Sequence, residues 1–123
     1  MVSTFYAVLS WVLIALGTAH MASASRIYSA LTMPALWFFG GGLLIVVGAM
    51  LNLLNRMYGN LASGLQLATV ATNVAVGSLA AVGGLLSSSS IAQFAVVVGL
   101  YVVVTALSCT RRAHLTTSHA LEG

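Results

Sequence analysis

Four apolar runs, at about 5–24, 35–54, 65–86 and 91–109, constrain this chain more than anything else in it, and no acidic residue falls within them. Each is close to the ~20 residues a helix needs to cross ~30 Å of hydrocarbon. With 60% apolar and 4% charged residues, a soluble domain of 123 residues could not cover its own surface, since the soluble norm is about 25% charged. Val and Ile abound in the second and fourth runs. In lipid, however, each backbone polar group must be satisfied within its own segment, so runs of this length are helices and not strands. The expected fold is all-α: a four-helix transmembrane bundle formed by residues 1–109 as a single domain, followed by a polar tail at 110–123.

Ala22-Ser23-Ala24 has the form of a leader cleavage site. No Lys or Arg precedes the first run, however, and the run is longer than a leader's apolar region, so it is read as a retained span. Pro34 stands just before the second run, where its missing N–H and fixed φ suit a helix start. Residues 25–34 and 55–64 are expected loops. The four serines Ser87 to Ser90 form the tightest connection, which makes the third and fourth helices antiparallel neighbours. The positive charge comes from Arg26, Arg56, Arg111 and Arg112. With four spans, three of these share a side with both termini. The positive-inside rule then gives a multi-pass protein with cytoplasmic N- and C-termini, expected in a bacterial inner membrane. The single acid, Glu122, belongs to a terminal Leu-Glu pair of the kind a cloning site leaves; without it the chain has no carboxylate side chain.

Small and polar residues recur at helical spacing in every span. The first offers Tyr6, Ser10, Gly17 and His20, the second Gly41, Gly48, Asn52 and Asn55, the third Gln66, Thr69, Asn73, Gly77 and Gly84, and the fourth Tyr101, Thr105 and Ser108. Polar groups gain nothing by facing acyl chains, and small residues let backbones approach, so these faces should meet inside a bundle or an oligomer interface. Gly41, Gly48, Gly77 and Gly84 are the expected packing glycines, and a homo-oligomer is expected.

Asn73 and Tyr101 fall ~12 Å deep at ~1.5 Å per residue, on helices that must be neighbours. A hydrogen bond or a bridging water between them is expected, either as interhelical glue or as a midplane ligand contact. His20 lies four residues from the far end of the first span, level with Gly40-Gly41-Gly42. A histidine inside a span is a site candidate, although an imidazole bonded to a backbone carbonyl or to Gln93 is the commoner arrangement. Trp11 and Trp37 would supply aromatic walls, with Trp37 also placed for an interfacial belt. His20, Asn73, Tyr101, Trp11 and Trp37 are thus the candidate ligand-binding residues, and Asn52, Asn55 and Arg56 form the expected cytoplasmic anchor of the second span.

Much chemistry is disfavoured. Paired carboxylates are missing, and a Ser–His pair has no acid within the membrane to orient it. The glycine triplet is not followed by the Lys-Ser/Thr of a phosphate loop. Haem would want a second histidine level with His20, whereas His114 and His119 belong to the tail, where a chance pair is no metal site. Neither metal nor cofactor is expected. One cysteine, Cys109, excludes an internal disulfide, and the dispersed charge is unlike the dense basic patch that nucleic acid requires. In size and topology alone the plan is similar to that of the small multidrug-resistance transporters. Those proteins carry a glutamate in the first span, and this chain has none there, so the family is not claimed. The expectation is a non-enzymatic protein, in contact with membrane lipid, that binds or translocates a neutral or lipophilic small molecule. The alternatives are an accessory subunit of a larger membrane complex and an enzyme acting on lipid.

Overall fold

The computed structural model describes residues 1–86 and 91–110. Among these the chain is all-helical, with four helices: α1 (Val2–Ile27), α2 (Met33–Tyr58), α3 (Ser63–Leu86) and α4 (Ile91–Ser108). Each is long and apolar enough to cross a membrane. The expected turn at 87–90 and the tail from 111, with His114, His119 and Glu122, lie outside the described residues.

The helices outrun the apolar stretches. At 26 residues each, α1 and α2 measure ~39 Å, longer than the ~30 Å hydrocarbon core. Their last turns carry Arg26 and Arg56, where a cation meets the negative end of the helix dipole. The start of α2 is built as its sequence prescribes. Thr32 is extended, its hydroxyl accepts from the Ala35 N–H at 3.4 Å, and Pro34 occupies the first turn. The α2–α3 loop is shorter than expected, only 59–62. Its turn is closed by the N–H groups of Leu61 and Ala62 donating to the Tyr58 carbonyl at 2.9 and 3.1 Å. Asn55 and Arg56 therefore belong to α2 and not to a loop.

α1 and α2 form the most intimate pair, and Gly17 and Gly42 are the reason. A Cβ on Gly17 would stand 2.7 Å from the Gly42 carbonyl oxygen, and one on Gly42 would stand 2.8 Å from that of Gly17. Here the two backbones touch, an approach that no larger residue permits. α3 and α4 form the second pair, with Gly77 under the Tyr101 side chain and Gly84 under the Phe94 ring. The two pairs are joined at one end only. Tyr6, Leu13, Ala49, Val76, Tyr101 and Val104 make the buried apolar cluster. The buried residues of α3 are Thr69, Asn73 and Val76, and those of α4 are Tyr101, Val104 and Ser108. All lie towards the α2–α3 loop. Residues 77–86 and 91–100 bury none of their number, so that half of the α3–α4 pair stands largely uncovered by α1 and α2.

Candidate functional site

Where the pairs meet, their join is polar. The Tyr6 hydroxyl is fully buried and donates to Asn52 Oδ1 at 2.7 Å. Asn52 and Asn73 exchange reciprocal amide bonds: Asn52 Nδ2 donates to Asn73 Oδ1 at 2.9 Å, and Asn73 Nδ2 returns to Asn52 Oδ1 at 2.8 Å. The second proton of Asn52 Nδ2 goes to the Gly48 carbonyl at 3.0 Å. Since a carbonyl can only accept, this bond fixes which way the Asn52 amide faces, and every other partner agrees with it.

Asn55 extends the network to the end of α4. Its Nδ2 donates to the Tyr6 hydroxyl at 3.3 Å and to the Ser108 carbonyl at 3.2 Å, and Gln66 Nε2 adds a second bond to that carbonyl at 3.1 Å. The last carbonyls of a helix have no partner within it, so two amides from neighbouring helices cap α4. Nearby, Arg56 Nε donates to the Ser3 carbonyl at 2.8 Å and to its hydroxyl at 2.9 Å, tying the end of α2 to the start of α1. All four helices therefore join one hydrogen-bonded cluster without a charged member in its buried part.

This arrangement departs from the sequence expectation in two ways. Asn52 and Asn55 are not a surface anchor; both are fully buried and stand at the centre of the cluster. Nor does Asn73 bond Tyr101. Asn73, 1% exposed, is engaged by Asn52, while the Tyr101 hydroxyl is buried with no hydrogen-bond partner among the described residues. Asn55 Oδ1 shares that condition. An unsatisfied buried polar atom costs about 1–3 kcal/mol, so each is a place where a polar group from elsewhere would be welcomed.

Asn73 and Tyr101 nevertheless share a feature. They line a groove of about 500 Å³ along the α3–α4 pair, together with Gly77, Ala81, Val98 and Thr105. Its size is typical of small-molecule sites, which run ~300–1,000 Å³. It is almost wholly apolar and is open to the outside of the bundle along the exposed residues Val74, Ser78, Val102 and Ala106. Thr105 does not decorate it with a free hydroxyl, since its Oγ1 donates to the Tyr101 carbonyl at 2.6 Å.

The other candidate residues lie elsewhere. His20, half-buried near the far end of α1, stacks on Phe38 with ring centroids 4.0 Å apart and planes inclined by 16°. Tyr28 meets the edge of the same ring at 5.8 Å. The imidazole lies over Gly41, whose Cβ would stand 3.7 Å from Nε2, so the triplet gives the ring room. Trp11 and Trp37, 61% and 75% exposed, face outwards and wall neither the groove nor the histidine. Of the packing glycines, Gly77 and Gly84 seat aromatic rings, Gly48 meets Thr72 at ordinary contact distance, and Gly41 serves His20. The tightest crossing uses Gly17 with Gly42. Among the described residues, no three His, Cys, Asp or Glu side chains gather as a metal site would require.

No family model, characterised protein or solved structure matches the chain.

Proposed function

We propose that this protein binds a neutral or lipophilic small molecule that it takes from the bilayer, without converting it chemically. The observation that carries the reading is the lateral groove along α3 and α4, set beside an interior that the Tyr6–Asn52–Asn73 cluster fills. A polar solute would want a wet path through the middle of the bundle. A lipophile needs only a recess reachable from the membrane. Both termini face the cytoplasm in this reading, on the strength of Arg56, Arg111 and Arg112.

The test is compositional. The protein is extracted into lipid nanodiscs, washed, and its bound organic fraction identified by mass spectrometry. A non-phospholipid species in stoichiometric amount is the expected result; bulk phospholipid alone would sink the proposal.

A second reading has its own support. A Cβ on Gly83 of α3 or Gly99 of α4 would meet nothing within 4 Å, so small residues remain on the lipid-facing surface after the bundle has formed. Such residues favour close approach by another helix, from a second copy of this chain or from a larger complex. Photo-cross-linking in native membranes from a benzoyl-phenylalanine placed at exposed Val82 or Val96 separates the cases, since a band at twice 12.6 kDa marks self-association and bands of other sizes mark a foreign partner.

A further inference from the structure

The α3–α4 groove has a length, a width and one end that faces charge. Its wall on α4 runs from Val98 to Cys109, a rise of ~16 Å, about half of the ~30 Å hydrocarbon core. Cys109 stands at the membrane boundary. It follows Ser108, whose carbonyl takes the Asn55 amide, and the next residue of α2, Arg56, bonds Ser3 in the first turn of α1. The groove therefore begins at the interface and ends near the midplane, one leaflet deep. Its volume of about 500 Å³ over that length gives a cross-section of ~30 Å², ~6 Å across. That takes one hydrocarbon chain and not two, since packed carbons stand ~4 Å apart.

The exposed side of the groove is what an occupant meets first. Val74, Val102 and Ala106 offer only apolar surface there, and the exposed polar groups are those of Ser78 and Cys109. Ser78 makes no demand on a ligand, because a helical serine hydroxyl can turn to the carbonyl four residues back, as Ser10 does towards Tyr6 at 2.8 Å. The Cys109 thiol is exposed and only a weak donor. Charge decides the matter at that end. Arg111 and Arg112 follow Cys109 by two and three residues, so their Cα atoms lie within ~7 Å and ~11 Å of its own. Against them the sequence holds a single acidic side chain, Glu122.

We infer that the groove holds a single-chain lipid with an anionic head, a long-chain fatty acid, its chain lying along α3 and α4 and its carboxylate paired with Arg111 and Arg112 beside Cys109. The inference rests on the lipophile-binding reading above and adds the ligand's head, its direction and its number of chains. A guanidinium pairs a carboxylate through two parallel N–H···O bonds, at the depth where a fatty acid carries that group. A diacyl phospholipid brings a second chain for which the groove has no room.

Cys109, the single cysteine, reports on the mouth of the groove. The full chain is reconstituted in phosphatidylcholine vesicles, and its rate of labelling by N-ethylmaleimide is followed against palmitate, hexadecane or phosphatidylglycerol added at equal mole fraction. Palmitate should slow labelling saturably, and the other two should not. Arg111→Gln combined with Arg112→Gln removes the charge-assisted bonds and should raise the half-saturating palmitate concentration about tenfold. Val102→Trp fills the groove from an exposed position, ~10 Å from the thiol. It should abolish protection while leaving labelling without palmitate, and the helical circular dichroism, unchanged.

Equal protection by hexadecane, or protection by palmitate that the arginine variant leaves unchanged, overturns the anionic head, and the lipophile-binding reading survives. Equal protection by phosphatidylglycerol overturns the single chain. Protection that Val102→Trp leaves unchanged, or no protection by palmitate, overturns the inference. If Val102→Trp also leaves the organic fraction retained in nanodiscs unchanged, the lipophile-binding reading falls with it.

Discussion

Replacing Asn52 with leucine should destabilise the bundle more than any other single polar substitution. The side chain accepts from Tyr6 and from Asn73 and donates to Asn73, giving three bonds to other helices. Side-chain hydrogen bonds in membrane bundles average ~0.6 kcal/mol, so the direct loss is ~2 kcal/mol. The partners then raise the cost. The Tyr6 O–H loses its acceptor and the Asn73 amide loses its partner on α2, both in sites that exclude solvent, where an orphaned group costs about 1–3 kcal/mol. Some relaxation will recover part of this, which puts the expected loss at about 2–4 kcal/mol. Leucine is close to asparagine in size, so a cavity contributes little. The assay is reversible unfolding in mixed detergent micelles, followed by circular dichroism. A companion cycle with Asn73→Leu supplies the sharper result. Once both amides are gone, neither leaves the other orphaned, so the double variant should lose less than the sum of the singles by about 1 kcal/mol or more. If Asn52→Leu costs under about 0.5 kcal/mol, or if the two losses simply add, the cluster is not what joins the helix pairs.

Two tyrosines make a natural contrast. Tyr6→Phe deletes a buried bond to Asn52 and the acceptor for Asn55 and should cost about 1–2 kcal/mol, while Tyr101→Phe deletes an unpartnered hydroxyl and should unfold at the same detergent fraction as the parent or a higher one. Gly17→Ala forces a Cβ against the Gly42 carbonyl and should cost about 1–3 kcal/mol; Gly83→Ala, with open space around it, should be neutral or stabilising by up to about 1 kcal/mol, both read in the same unfolding assay. Reporter fusions after Thr110 should be active as a cytoplasmic fluorescent protein and inactive as an exported phosphatase, and the opposite pattern would reverse the orientation.

The spans were legible because hydropathy over twenty residues admits one outcome in lipid. Their ends were not. Polar residues such as Ser25 and Asn55 look like loop when counted by hydropathy, yet the backbone continues its own hydrogen bonding through both. That error propagated into the site. Ending the second helix at Leu54 places Asn52 almost at the surface, some six residues, ~9 Å, shallower than Asn73. Extending α2 to Tyr58 and starting α3 at Ser63 brings the two to within four residues, ~6 Å, which helix tilt closes. The matched depth of Asn73 and Tyr101 survives as a shared groove, but depth says nothing about rotation. Asn73 turns its amide towards α2, and no signal in a single sequence fixes that phase. Asparagine's paired donor and acceptor, which make reciprocal bonding with another asparagine possible, were the available hint that Asn52 was its partner. The Gly17–Gly42 crossing was half visible: the glycine triplet was evident, but which of its members faced α1 was not.

The cluster that joins the helix pairs is built from amides, hydroxyls and carbonyls. Asn, Gln, Ser and Tyr side chains carry no charge across the physiological pH range. Moving an elementary charge through a 100 mV membrane potential is worth ~2.3 kcal/mol, whereas displacing these neutral groups through the same field does almost no electrical work. Acidifying one face of the membrane, or collapsing the potential across it, therefore leaves the joint as strong as before. Within the joint itself, neither a proton gradient nor a voltage finds a charge to act on.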